Sequence, residues 1–434
     1  MARIAWVDRA RGWGMILVMA GHGDIPFRLA LSFVPVPIFF FLSGYLYHEW
    51  KYKDIRQLIR VRSRTLLVPY LVFALLNYAV WAAFHPALLS HGWAAALGPL
   101  VNQVLAGRRT DEDPYLIPYW FILCLFLVEV LYALIARAAD SLAGLMGTRS
   151  LRWRAVLVGL FTASGFIYVR QGVPLPWSLD VALIAIAFYA TGHFAQLYSS
   201  RFHHLFRKRW LIAPAIAGLV LGALNMETAA SHRVGLYHAY YHDSLLFLVG
   251  SFSGLYLFLF AIFRIHDFKP VRVIGRESLT FLVLHYPIFL PMGAFVDGVI
   301  FPDWRTAPIF AHSPLLHSLA VRILKALVGT AITATGLVVA YLVIAPIATA
   351  IHRHTAILPG ARNRRPMSDP VGEAIVVPRI ATSNEKVDCE AVEPDSFDTR
   401  REALAAGERP GISQVSPEFA SRSQPIAMKR SPRV

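Results

Sequence analysis

Residues 117–136 read IPYWFILCLFLVEVLYALIA. Twenty mainly apolar residues in a row, at about 1.5 Å per residue, span the ~30 Å hydrocarbon layer of a bilayer as an α-helix. The same reading applies along most of the chain. Further apolar runs cover Gly12–His22, Leu29–Tyr47, Leu66–Phe84, Ala155–Val169 and Leu179–Tyr198, then Leu211–Leu224, Leu245–Phe263, Leu279–Phe295 and Ile323–Ile351. The first is short for a span, so its helix is expected to extend back through Arg11; the last is long enough to tilt or break. The fold predicted is all-α, a polytopic membrane bundle of about ten transmembrane helices.

Composition agrees. Of 434 residues, 56% are hydrophobic and only 16% charged, against about a quarter charged in soluble domains. The charged residues crowd into a few loops and the last seventy or so positions, so the remainder is suited to lipid. A net charge of +15 can signal nucleic acid, but here the cations lie between apolar runs, which points to orientation in a bilayer. Lys51, Lys53, Arg56, Arg60, Arg62 and Arg64 follow the second run. Arg137, Arg149, Arg152 and Arg154 follow the fourth. Arg201, Arg207, Lys208 and Arg209 follow the sixth, and Arg264, Lys269, Arg272 and Arg276 the eighth. The alternate loops, Gly23–Arg28 and Gly172–Ser178 among them, carry few. Short cytoplasmic loops collect Lys and Arg, so both termini are expected in the cytoplasm.

The chain divides at its C-terminal end. Residues 1–356 form the expected membrane domain. From about Leu358 the composition turns to Pro, Ser, Glu, Arg and Asp without apolar period. Such a segment buries too little surface to offset its ordering entropy, so 357–434 reads as a disordered cytoplasmic tail. Cys124 lies in an apolar run and Cys389 in the tail, so neither a disulfide between them nor a structural zinc site is expected. The start, MARIAWVDRARGWG, reads as a mature cytoplasmic N-terminus rather than a secretory signal. No repeat of 20–50 residues is present.

The first run holds the most informative spacing. In DRARGWGMILVMAGH, Arg11 and His22 are eleven residues apart, close to three helical turns, so they share a face with ~16 Å between them. One reading is a polar track inside the bundle, since ionisable groups at membrane depth usually line a cavity. The other is an Arg reaching to the cytoplasmic interface and a His at the outer boundary. The second run, PVPIFFFLSGYLYHEW, is broken early by Pro35 and Pro37, and Ser43 with Gly44 permits close backbone approach. Arg62 and Arg64 in RVRSRTLLVPY read either as membrane anchors or as a cradle for a polyanion such as the phosphates of coenzyme A, which guanidinium groups bind in bidentate fashion.

Trp120 sits at an apparent outer interface, where aromatic belts are common. Asp180 opens the sixth run as a helix cap or pocket group. His285 in GRESLTFLVLHYPIF reads as a packing or pocket residue. His232, His238 and His242 cluster among tyrosines in SHRVGLYHAYYHDS, a spacing that matches no firm metal pattern; Trp177, Tyr237, Tyr240 and Tyr241 suit either sugar stacking or lipid headgroups. No Walker loop, His-Glu-x-x-His or Gly-x-Ser-x-Gly elbow occurs.

Taken in order, DRARGWGMILVMAGH, PIFFFLSGYL, the basic stretch into LLVPY, YWFILCLF, LPWSLDVALIAIAFYATG and GRESLTFLVLHYPI resemble the membrane acyltransferase-3 family, and within it fucose 4-O-acetylase-like members. The resemblance covers Ile4 to Ile351. It implies a bundle of about ten helices in a bacterial inner membrane. It implies transfer of an acyl group, usually acetyl from acetyl-CoA, to a hydroxyl of a sugar in O-antigen, exopolysaccharide or lipid-linked glycan. Its partners are acyl-CoA, a glycan or glycolipid acceptor and the bilayer, with no metal and no nucleic acid. It makes His22 the residue that takes the acceptor's proton or shuttles the acyl group, and Arg11 the one that orients or neutralises a phosphate or the thioester region, with Arg62 and Arg64 holding the donor and Ser43 bonding the thioester oxygen. Trp120, Asp180 and His285 then line the acceptor pocket. One departure stands out: family members of this type read Phe-His-Met-Pro where this chain has Val34, Pro35, Val36 and Pro37, so the usual second histidine is missing. The competing classes are a transporter or flippase of a lipid-linked sugar, and a sensor working through its tail.

Overall fold

The computed structural model describes residues 4–22, 34–52, 54–83, 119–229, 234–285, 288–289 and 314–356, with a few isolated positions between 92 and 107. The C-terminal tail and His232 lie outside the described residues. Among those described, the elements are helices, with one isolated antiparallel bridge between Gly235 and Tyr240.

Helix α1 covers Ala5–Gly21 and α2 covers Pro35–Tyr45. Pro35 stands at the start of α2, where a missing N–H costs nothing and the fixed φ favours the turn. The basic stretch that follows is helical: α3, Ile55–Arg62, is capped by Asp54, whose side chain accepts from the Gln57 amide. It passes through a π-helical turn, Ser63–Leu67, directly into α4, Val68–Ala83. Then come α5, Trp120–Met146, and α6, Ser150–Val169, joined through Gly147 in the left-handed region. After α7, Leu179–Leu197, and the short α8, Ser199–Leu205, the chain forms α9, Ile212–Glu227, and α10, Ser244–Ile262. It ends with α11, Lys269–Arg276, α12, Ser278–Leu284, and α13, Pro314–Ala356.

Five segments among the described residues are long and apolar enough to cross a membrane: Trp120–Met146, Pro176–Leu197, Arg209–Met226, Ser244–Ile262 and Leu327–Ala350. The outer helices leave apolar stripes uncovered, as at Leu71, Val72, Leu75 and Leu76 on α4 and Ile216, Val220 and Leu224 on α9. Faces of this kind are what lipid covers.

The interior is built round α5 and α7, with Phe40, Val128, Tyr132, Ile184, Phe188 and Tyr189 fully enclosed. Lipid gives helices little hydrophobic reason to associate, so close backbone packing at small residues takes over. At the α2–α7 crossing, Gly44 lies against the Tyr189 carbonyl and Gly192 against the Phe41 carbonyl. The α1–α11 crossing repeats the arrangement, with Gly12 on Val271 and Gly275 on Asp8. Because Gly12 is next to Arg11, this second crossing fixes where Arg11 stands.

Candidate functional site

Two side-chain groups are strung along α1. At its N-terminal end, Arg11 interacts electrostatically with Asp8, Arg62 and Glu129. The Arg62 guanidinium comes from the last residue of α3, and its Nε lies 2.8 Å from Glu129 Oε2 on α5. Glu129 is 2% exposed. The Arg62 guanidinium also lies over the ring of Tyr52, 5.9 Å from its centroid. Arg64, in the π-turn, is exposed. Asp8 carries a second ion pair, 3.4 Å from Arg276, whose side chain is largely exposed and adds little stability.

At the other end of α1, eleven residues and ~16 Å on, His22 occupies the C-terminal cap. Its ring lies 5.1 Å from that of His285, centroid to centroid, tilted by 45°. His285 is fully buried at the end of α12, and its Nδ1 is 3.0 Å from the Phe281 carbonyl oxygen. A carbonyl only accepts, so Nδ1 carries the proton, and in the neutral ring Nε2 is the basic nitrogen. The histidine beside His22 therefore comes from α12, not from the second span, where Pro35 takes the place expected for it.

The remaining expected residues are dispersed. Ser43 is half-buried on α2, next to the Gly44 crossing. Trp120 is buried at the start of α5 and packs on Phe121 and on Tyr237, with ring centroids 6.2 and 5.9 Å apart. Asp180 is buried in the first turn of α7, where a carboxylate complements the helix dipole. It follows Trp177 and Ser178, both left-handed (φ 57° and 58°), a conformation that side chains other than glycine adopt only when the surroundings hold them there. Tyr241 packs against Phe166 and Phe247 and is 3% exposed, so it belongs to the core. Tyr237 meets His238 edge to face, with ring centroids 4.8 Å apart, and Tyr240 lies tilted against His242 at 6.4 Å. Among the described residues, no three His, Cys, Asp or Glu side chains converge as metal ligands.

Sequence reasoning missed Glu129, although it is the one charged residue of the run Ile117–Ala136, a signal that membrane depth makes significant. It also missed a second polar group between α5, α6 and α7. Arg154 is bonded to both Glu49 and Asp140, the latter at 2.8 Å, and Ser150 bonds Asp140 in turn. The Tyr132 hydroxyl and His193 Nδ1 are 2.6 Å apart, and His193 Nε2 lies 4.0 Å from Glu49.

A helical membrane protein with a buried glutamate facing two half-buried arginines at one end of a helix and a histidine pair at the other is the class these features define. A family model described as an acyltransferase domain matches residues 4–351. The chain belongs to that family, the membrane acyltransferase-3 proteins, and is an acyltransferase. Comparison with curated proteins and with solved structures gives no significant match.

Proposed function

We propose that this acyltransferase moves an acetyl group from acetyl-CoA to a hydroxyl of a sugar, in a cell-surface glycan or a lipid-linked precursor of one. It does so in a bacterial inner membrane with both termini in the cytoplasm. The observation that supports the reading is the loading of α1, with Arg11 against Arg62 and Glu129 at one end and His22 against His285 at the other.

Phosphates of the donor bind at the basic end, where Arg64 is exposed and Arg62 and Arg11 stand further in. The acceptor oxygen attacks the thioester carbonyl; a C–O bond forms, the C–S bond breaks, and coenzyme A leaves as thiolate. His22 takes the hydroxyl proton and returns it to the thiolate, so the reaction consumes no net proton. His285 holds the ring of His22 in place; Ser43, two residues from Tyr45 and so level with Trp6 on α1, stands at the donor end, away from the thioester at His22. The half-buried Tyr237, backed by Trp120, offers an aromatic face of the kind that sugars stack on, and Asp180 supplies a hydrogen-bond acceptor.

The experiment compares O-acyl esters on surface glycans of cells carrying the intact gene, no gene, and a His22→Ala copy with matched membrane abundance. Ester made only with the intact copy supports the assignment, and its position identifies the acceptor. Equal ester content in all three refutes it.

A further inference from the structure

Arg62 and Arg64 are two residues apart in RVRSR and look interchangeable as donor-binding cations. At 100° per residue they point about 200° apart on a helix, so only one can face the bundle. Arg62 does: it meets Glu129, while Arg64 is exposed. The helix changes to π geometry at the next residue, Ser63, with Thr65 Oγ1 3.1 Å from the Val61 carbonyl oxygen. Single π-turns of this kind re-aim side chains and gather at functional sites.

A carboxylate in the middle of an apolar span is expensive unless it is paired. Glu129 is enclosed by the core cluster of α5 and α7 and meets the one guanidinium that α3 turns inward. Arg11 approaches from α1 and interacts with both. Asp8 faces both Arg11 and Arg276, so three arginines share two carboxylates, with the exposed Lys51 also acting on Glu129. The group carries a net positive charge, as an anion site requires.

We infer that Glu129 is a positioning residue: its buried carboxylate holds Arg62 inside the bundle beside Arg11, so Arg62 serves an inner anion and Arg64 an outer one. The inner anion is a phosphate oxygen of the donor, because the thioester reacts at His22, ~16 Å further along α1. This assignment rests on the acyl-transfer reading for the identity of the anion, but the position of Arg62 is tested without turnover.

The test uses the full-length protein in lipid nanodiscs, modified by phenylglyoxal, with peptide mass spectrometry reading each arginine. In the wild type, Arg62 is expected to react severalfold more slowly than Arg64. In Glu129→Gln, Arg62 speeds up to the rate of Arg64, and Glu129→Asp, which keeps the charge, restores most of the protection. Equal reactivity of Arg62 and Arg64 in the wild type overturns the inference, even where Glu129→Gln fails to fold. So does unchanged protection of Arg62 in a folded Glu129→Gln. Turnover then separates positioning from packing. Per folded molecule, Glu129→Gln is expected to raise KM for acetyl-CoA about tenfold or more, with a smaller change in kcat. In an Arg62→Gln background the same change adds nothing, because Glu129 acts through Arg62. A further loss of equal size in that background, or a loss that follows only the folded fraction, overturns the positioning role. A wild type that modifies as expected but transfers no acyl group overturns the acyl-transfer reading and leaves the position of Arg62 standing.

Discussion

Alanine at Gly44 or Gly192 tests whether the bundle is held by backbone contact at the α2–α7 crossing. A Cβ on Gly44 would stand 2.7 Å from the Tyr189 carbonyl carbon, and one on Gly192 2.8 Å from both the Phe41 carbonyl carbon and the Tyr45 nitrogen. Ordinary carbon–carbon contact needs about 3.6 Å, so either alanine forces the helices roughly 1 Å apart. The obstacles are backbone atoms, which cannot swing aside, so the strain is of the overpacking kind, about 1–3 kcal/mol. Both alanines demand the same separation. Once α2 and α7 have moved for one, the second is nearly accommodated, and the double variant should melt little below either single. Tyr189 interacts electrostatically with Glu129 and Arg62, so the displacement reaches the proposed donor end, where a ~1 Å misplacement would lower turnover by about a hundredfold. Thermal melting in detergent and acyl transfer per folded molecule are the assays. Gly159 on α6 is the control: nothing lies within 4 Å of a Cβ there, so Gly159→Ala should match the wild type. Single variants that melt with the wild type, or losses that add fully in the double variant, refute backbone contact at this crossing.

Two further outcomes concern the edges of the bundle. His48 lies just beyond α2, and burial, reinforced by Lys51, holds its pKa below the usual 6.5. The unfolded chain then binds the proton more readily, so stability is complete above about pH 6.5 and falls as the pH drops below it; melting across pH 5–8 should flatten in His48→Gln, and an unchanged slope rules His48 out as its source. Asn225, 1% exposed at the end of α9, donates from Nδ2 to the carbonyls of Tyr241 and Asp243 and accepts from the Asp243 amide through Oδ1. Replacing it by Leu removes three hydrogen bonds, about 2–4 kcal/mol, and loosens the loop that seats Tyr237 on Trp120. Under the proposed function, KM for the glycan acceptor rises while KM for acetyl-CoA stays put; the reverse pattern would separate this loop from the acceptor.

What could be read from the chain alone followed the solvent. Apolar runs separated by basic loops are dictated by the bilayer, so a polytopic helical fold was legible without knowing a single contact. The Arg11–His22 spacing was legible because it lies within one helix, where 3.6 residues per turn convert sequence separation into geometry. Partners from other helices were not. His22 meets a histidine 263 positions away (285 − 22), and no periodicity encodes which of two helix ends will adjoin. Glu129 was visible as a charge inside an apolar run, but its role depends on the inward turn of Arg62. The basic stretch read as a loop because its cations obscure the helical period. The structure makes Ile55–Ala83 one continuous helical path, interrupted only in geometry by the π-turn.

That path and α1 together give the proposed chemistry its physical logic. Under the proposed orientation the donor arrives from the cytoplasm as a polyanion, and its phosphates cannot enter an apolar bundle uncompensated. Arg64, exposed at the π-turn, meets such charge where water still screens it; Arg62 and Arg11 meet it further in, where Glu129 has already neutralised one of their two charges. Beyond them α1 continues through Trp13, Met15, Ile16, Leu17, Val18 and Met19, a stretch that offers no charge and so favours a neutral thioester over a phosphate. The histidines lie past that stretch. A neutral imidazole is the group that can work there, because it changes protonation near pH 7 without needing a permanent counter-ion. Moving the charge should therefore matter more than removing it: Met15→Arg, placed midway along α1, gives a phosphate a reason to advance. It should lower acetyl transfer more severely than Arg64→Ala in protein of equal abundance. If Arg64→Ala proves the more damaging of the two, charge is not graded along α1 as argued, and the donor reaches the histidines by another route.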